Sequence, residues 1–437
     1  MNIRFRHVSL AAFTLAAGWS APVVAADAAR PNIICILSDD VGLGDIACCG
    51  GPFKTPRIDA LAAAGLRFEN AYSTPLCGPT RCQLLTGRYP FRTGLNSNQS
   101  HNAVDPKDEV MIPSVMKKAG YATASCGKWG QICLGPGEWG FDEYLVFKGS
   151  GRYWAGQSPD YVVNGKTMKL GPQEYLPEVM HGFATDFITR HREGPFFLYY
   201  PMSHIHGPIL RTPDSKPGAG PDRLYQDNVE SMDKYVGKLM DELDRLHLRE
   251  KTLVIFTGDN GTARFGVAAA TVKGRSISGQ KGTMLEGGAR VPFVASWPGV
   301  TPAGKVTGDL IDFTDLLTTF ADLGGAALPE GVTLDGRSFA PQLLGKTGNP
   351  REWVYVELNG RSYARNARYK LGNDGAFFDL KNAPFEEIPV SPGTSDPAAA
   401  AAKKALQAVL DQHPAAPRGE KSGGKKNKQG KNRRAAR

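Results

Sequence analysis

From residue 31 onward the chain alternates short, continuously apolar runs with stretches in which apolar residues recur every three to four positions. Residues 32–37, 121–125, 196–200, 252–257 and 291–297 are of the first kind, and their lack of period-two alternation marks strands buried on both faces. Residues 56–64, 113–119, 178–191, 222–246 and 313–323 are of the second kind, the first being stopped by Gly65. Strands that need cover on two sides, interleaved with helices able to supply it, predict an α/β fold: a large, mostly parallel sheet sandwiched by helices. Near residue 350 the texture changes. Residues 351–358, 362–371 and 377–380 predict a small antiparallel sheet, followed by an Ala-rich helix over 397–411.

A chain of 437 residues with 41% hydrophobic composition buries a large core and has room for one big domain with an appendage. Its first 26 residues read as a secretory signal. Arg4, Arg6 and His7 form a basic start, Leu10 to Ala17 an apolar segment too short to span a bilayer, and Val24-Ala25-Ala26 a small-residue cleavage site. The expected organisation is therefore a signal over 1–26, a large domain over 27–348, a small α+β subdomain over 349–412 and a basic tail over 413–437. No later segment reaches transmembrane length, which points to a mature protein that is periplasmic or secreted and has no membrane span.

The net charge of +9 is misleading as a sign of nucleic-acid binding. Residues 418–437 hold nine Lys or Arg and one Glu, and once they and the signal's Arg4 and Arg6 are set aside, residues 27–417 carry a net −1. No nucleic-acid partner is expected. The tail is Gly-, Lys- and Asn-rich with nothing apolar larger than Ala, the composition of a segment that packs no core. Seven cysteines, at 35, 48, 49, 77, 82, 126 and 133, are an odd number for an exported chain. Setting one aside leaves six that could pair, with Cys35 inside an apolar strand reading as a plain core thiol.

Two strands end alike. Ser38-Asp39-Asp40-Val41-Gly42 and Gly258-Asp259-Asn260-Gly261 set an acidic pair, and an acid with an amide, at strand carboxyl ends, the edge where open α/β sheets bind ligands. Adjacent strand residues point to opposite faces, so both members of a pair reach one ion only if the chain leaves strand geometry there, as the nearby glycines permit. Three carboxylates and an amide are an all-oxygen set suited to a hard cation, and the lack of a His/Cys cluster argues against zinc. Either pair alone reads equally well as a turn cap.

Cys77-Gly78-Pro79-Thr80-Arg81 fits C-x-P-x-R and continues as Cys82-Gln83-Leu84-Leu85-Thr86-Gly87-Arg88. A buried or disulfide-bonded cysteine beside a helix-starting proline would account for the five residues alone. Pro79 suits a first helical turn, and Leu84 and Leu85 give the helix a buried side. Residue 77 then lies near a helix N-terminus, whose free N–H groups and dipole favour an anion.

With its L-T-G-R continuation this motif resembles the nucleophile segment of the formylglycine-dependent, arylsulfatase-like sulfatases of the alkaline phosphatase superfamily. The resemblance covers most of residues 31–345, including Lys54-Thr55-Pro56-Arg57-Ile58-Asp59 and the run Lys281-Gly282-Thr283-Met284-Leu285-Glu286-Gly287-Gly288, which is similar to the family's K-x₄-E-G-G. It implies that a maturation enzyme oxidises Cys77 to formylglycine (3-oxoalanine), whose hydrate attacks a sulfate ester. It also implies Asp39, Asp40, Asp259 and Asn260 as metal ligands, with residue 77 also on the ion. Oxygens added by hydrate and substrate then favour Ca²⁺ over Mg²⁺. By similarity Arg81 orders the site, Lys128 and Lys281 hold sulfate oxygens, and His206 or Lys281 assists the departing alcohol, with His204 competing for that place.

The implied function is a sulfuric ester hydrolase for a sulfated small molecule or glycan, a carbohydrate in preference to a simple aryl sulfate. One residue departs from the family's pattern. After Gly127-Lys128-Trp129 the family commonly has a His acting on the hydrate, and here Gly130 is followed by Gln131. Two rivals remain open: a phosphonate or phosphodiester hydrolase of the same superfamily, and a non-catalytic binder of sulfated glycans. Gly151-Arg152-Tyr153-Trp154 and Tyr161 form either a sugar-stacking edge or ordinary packing.

Overall fold

The computed structural model describes residues 30–100, 103–157 and 160–416. The expected signal over 1–26 and the basic stretch 418–437 lie outside them. Ten strands form one sheet: β1 (Asn32–Ser38), β2 (Leu66–Tyr72), β3 (Ala122–Lys128), β4 (Glu143–Phe147), β5 (Tyr161–Val163), β6 (Lys166–Met168), β7 (Phe196–Pro201), β8 (Thr252–Gly258), β9 (Arg290–Ser296) and β10 (Lys305–Asp312). Their order is β10-β2-β9-β8-β1-β7-β3-β4-β5-β6. The central run β8-β1-β7-β3-β4 is parallel. β9 runs against both its neighbours, and β5 and β6 close one edge as an antiparallel hairpin.

Every residue of β1 and β8 is buried. Alternation along β1 sends Ile34 and Ile36 to one face, under the helices Pro56–Ala63, Leu176–Arg190 and Pro221–Arg245, and sends Ile33, Cys35 and Leu37 to the other, under Cys77–Thr86, Ile112–Lys118 and Asp315–Gly324. The continuous apolar runs thus arise from two-sided cover. The long helix Pro221–Arg245 turns Tyr225, Val229, Met232, Val236, Leu239 and Leu243 inward at spacings of three and four, and ends where His247 takes a left-handed φ of 56°. Among the described residues no helix is long and apolar enough to cross a membrane. All seven cysteines are free thiols, so the pairing that six of them left open is not made. Cys35 is a core thiol whose pKa burial pushes up to about 12.

A second sheet, antiparallel throughout, contains β11 (Val354–Leu358), β12 (Arg361–Arg365), β13 (Tyr369–Gly372), β14 (Phe377–Asp379) and β15 (Ile388–Pro389), packed on the helix Pro397–Gln412. The stretch expected as one strand over 362–371 is two, because the chain reverses through residues 366–368. Packing continues beyond the helix: His413 is buried against Trp353 and Tyr355, and Ala416 N donates to Glu357 Oε1 at 2.7 Å.

Burial pushes the Glu357 carboxyl up from 4.5 to about 7, so the folded protein keeps this proton to higher pH than the unfolded chain does. The stability it contributes is complete below the unfolded pKa and is lost as pH climbs through the interval up to the folded one. Glu357→Gln keeps an acceptor for Ala416 and cannot ionise. In urea denaturation the variant is expected to gain on its parent by about 1–3 kcal/mol between about pH 5 and about pH 8, and an unchanged difference would contradict this account.

Candidate active site

The site is assembled from the carboxyl ends of neighbouring strands. β1 ends at Ser38, and Asp39 N then donates to His204 O at 2.7 Å while Asp259 N donates to Ser38 O at 2.9 Å, stitching together the exits of β1, β7 and β8. Asp40 has a left-handed φ of 61°. That departure from strand geometry lets two consecutive aspartates serve one site. Asp40 N donates to Asp259 Oδ1 (3.0 Å) and Asn260 Nδ2 to Asp40 Oδ1 (2.9 Å). The four side chains implied as metal ligands therefore converge.

Cys77 opens the helix Cys77–Thr86 and is buried. Ligand atoms of Asp39, Cys77 and Asp259 lie within 4.8 Å of one another, as do those of Asp39, Asp40 and His206. The buried Asp39 Oδ1 and Asn260 Oδ1 accept no hydrogen bond. Orphaned acceptors in an all-oxygen set are what a hard divalent cation would satisfy, so the residues fit one.

The cations complete the arrangement. Arg81, fully buried, donates to Asp259 Oδ2 at 2.7 Å and to Lys128 O at 2.8 Å, and lies 3.7 Å from Asp39 Oδ1. Lys128 Nζ meets Asp39 Oδ2 at 2.5 Å, and Lys281 pairs with Asp40. Burial acts to raise the Asp39 carboxyl, but Lys128, Arg81, His206 and Lys281 together hold it well below the usual carboxylate range. Asp259 goes the other way, up to about 7, because burial and the Asp39 charge outweigh Arg81. His206 Nδ1 lies 2.6 Å from Gly207 O, which can only accept, so Nδ1 carries the hydrogen and Nε2, 3.9 Å from Asp40 Oδ2, faces the site.

His204, the rival to His206, is a core residue. It stacks on Tyr235 and packs tilted against Tyr153, and burial pushes its pKa down to about 3. The sugar-stacking alternative is not supported either. Tyr153 and Tyr161 are buried in the core, and Trp154 is covered by Tyr175 and by the Arg211 guanidinium 4.4 Å above its ring. The site instead opens into a cleft of about 830 Å³ lined by Cys77, Lys128 and His206 together with Trp129, Leu134, Phe147 and Lys148.

Gly130, the departure from the family's pattern, lies where the backbone turns left-handed beside Arg81. Gly130 has a φ of 88°, and a β-carbon there would lie 2.9 Å from Arg81 Cδ. Gln131 fills the space beside residue 77, its Oε1 3.9 Å from Cys77 Sγ. Opposite it stands Asn98, which the sequence reading missed. Its Oδ1 accepts from Gly78 N at 3.1 Å and its Nδ2 lies 3.5 Å from Cys77 Sγ. It comes from a polar loop with no motif, so only the fold reveals it. A side chain at Gly78 would strike both amides, with its β-carbon 2.5 Å from Asn98 Oδ1 and 2.8 Å from Gln131 Oε1.

Opposed sets of acids and bases on one sheet edge, closing on a cysteine at a helix N-terminus, describe an α/β protein built to hold a small oxyanion. The chain belongs to the sulfatase family, which it matches over residues 31–326. It is 36% identical over 355 residues to N-acetylgalactosamine-6-sulfatase of Homo sapiens, covering 72% of this chain and 66%, just under two thirds, of that one. With arylsulfatase A of Homo sapiens it shares 35% over 383 residues, covering 78% and 74%. Among solved structures, Ps i-CgsB in complex with k-i-k-neocarrahexaose superposes with a TM-score of 0.77 at 27% identity, over 90% of this chain and 95% of that one. PsFucS1 sulfatase from Pseudoalteromonas sp. gives 0.73 at 27%, over 89% and 92%.

Proposed function

We propose that this protein hydrolyses sulfate esters of carbohydrates in the periplasm or outside the cell, using formylglycine made from Cys77 by a maturation enzyme. The observation that carries this reading is the closure of Asp39, Cys77 and Asp259 within 4.8 Å at the floor of a cleft far larger than a sulfate group. Residues 27–348 would carry the chemistry and 349–412 would support it.

Asp39, Asp40, Asp259 and Asn260 would hold the divalent cation, Ca²⁺ in preference to Mg²⁺, which would neutralise charge on the sulfate and on residue 77. As a hydrated aldehyde, residue 77 would supply the nucleophilic oxygen. Arg81 fixes Asp259 relative to the start of the helix at residue 77. Lys128 and Lys281 donate to sulfate oxygens. As the S–O bond breaks, charge grows on the bridging oxygen, and His206 or Lys281 protonates the departing alcohol. Asn98 and Gln131 flank residue 77 as hydrogen-bonding amides and hold it in place. Neither is a base at neutral pH, so deprotonation of the hydrate falls to other groups of the site.

The direct test is sulfate release from a panel of sulfated mono- and oligosaccharides beside nitrophenyl sulfate and a nitrophenyl phosphodiester. Sulfate release from the glycans is expected. Phosphodiester turnover alone would favour the related phosphohydrolase chemistry, and no turnover by protein carrying formylglycine would leave a binder. Calcium at about 100-fold over its dissociation constant is expected to stabilise the protein by about 2.7 kcal/mol relative to EDTA, and an unchanged melting temperature would count against the cation site.

A further inference from the structure

Lys281 lies on a loop between residues 278 and 285 that has no regular structure of its own. On its site side two backbone bonds hold it: Lys281 N to Thr262 O at 3.1 Å and Gly282 N to Pro75 O at 2.8 Å, the latter two residues before Cys77. Its other side rests on the C-terminal sheet. Ser278 N donates to Pro384 O at 2.8 Å, Lys370 Nζ to Met284 O at 2.9 Å, and Glu286 N to Glu387 Oε1 at 2.8 Å. Arg365 Nη1 lies 3.3 Å from both oxygens of Glu286 and also bonds Tyr72 OH, which itself donates to Glu286 Oε2 at 2.7 Å. Lys370 pairs with Glu387.

These ions are almost inaccessible, with exposures of 0% for Glu286, 2% for Arg365, 3% for Lys370 and 9% for Glu387. Arg365 and Lys370 are also direct register partners on β12 and β13. Two like charges facing each other on a ladder repel, and burying four ions is costly, while an apolar contact of equal volume would hold the two layers as well. What the ions add is direction: Lys370 and Glu387 bond backbone atoms of Met284 and Glu286 at the loop's end, and Arg365 holds the Glu286 carboxylate.

We propose that Arg365, Lys370 and Glu387 are positioning residues for Lys281: the C-terminal sheet presents a buried frame of charges that sets the loop of Lys281 against residue 77, and none of the three touches substrate. The functional half rests on Lys281 acting as a donor to sulfate oxygens. The frame itself does not, so the test has two parts, both on the full chain.

In hydrogen exchange, Lys370→Met is expected to speed exchange of the Gly282, Gly287 and Gly288 amides while β1 and β8 stay protected. Unchanged exchange in the loop overturns the proposal. In turnover, Lys370→Met is expected to lower kcat/KM by about 10–100-fold, the scale of a small misplacement of a binding group, with Lys370→Arg recovering most of it. In a Lys281→Ala background the same change is expected to cost nothing further, and a full additive loss there overturns the positioning role. Full activity of Lys281→Ala alone would refute Lys281 as a sulfate donor and with it the functional half, while the exchange result reports separately on the frame. Glu387→Gln supplies the same readouts should Lys370→Met fail to fold.

Discussion

Cys77→Ala is expected to lower kcat for sulfate-ester hydrolysis by at least about 10⁴-fold, the scale on which loss of a nucleophile acts, with little change in melting temperature. The side chain is short and lies at a helix start whose amide at Gly78 is already satisfied by Asn98, so its truncation disturbs little packing. Lys128 and Lys281 remain to bind sulfate and the aspartates to hold the cation, so affinity for inorganic sulfate should survive. In parent protein matured by its native host, the peptide carrying residue 77 should resist alkylation by iodoacetamide and form a hydrazone. An alkylatable thiol in active protein would sink the formylglycine assignment, and undiminished turnover by Cys77→Ala would sink the active site.

Asp39→Ala is expected to damage both activity and stability. Its carboxylate is fully buried, meets Lys128 at 2.5 Å and lies 3.7 Å from Arg81. Removing one partner of a buried ion pair leaves its cations uncompensated, at a cost of about 3–5 kcal/mol. Because a candidate metal ligand is lost as well, kcat/KM should fall by about 10³-fold or more, and calcium should no longer raise the melting temperature. Urea denaturation with and without EDTA checks both halves. A variant as stable as its parent, and still stabilised by calcium, would show that Asp39 neither balances Lys128 nor holds an ion. Asp39→Asn separates charge from shape, since it keeps an oxygen for the ion and drops the charge that faces the two cations.

Much of the layered core was legible because two-sided burial leaves a direct signature. Residues 32–37, 196–200 and 252–257 had to be strands covered on both faces, and β1, β7 and β8 stand there side by side. Less apolar strands were missed. Leu66–Tyr72 carries Arg67, Glu69 and Asn70, and Lys305–Asp312 is a half-exposed edge strand, so neither shows the continuous run of a central strand. The edge hairpin Tyr161–Val163 and Lys166–Met168 is too short for periodicity to register.

Local chemistry decided residue types: two acid-bearing strand exits, a cysteine before a helix-starting proline, and lysines next to glycines. Distance did not follow from it. That Asp40 turns left-handed to stand beside Asp39, that His206 and not His204 faces the cleft, and that Asn98 and Gln131 flank residue 77 all depend on loops meeting across separations of tens to hundreds of residues. The bond from a lysine of the C-terminal sheet to the loop of Lys281 is of the same kind. A linear pattern records which face of its own element a residue occupies, because burial repeats along that element. Contacts between elements leave no such period, so which residues share the candidate site was fixed only when the chain folded.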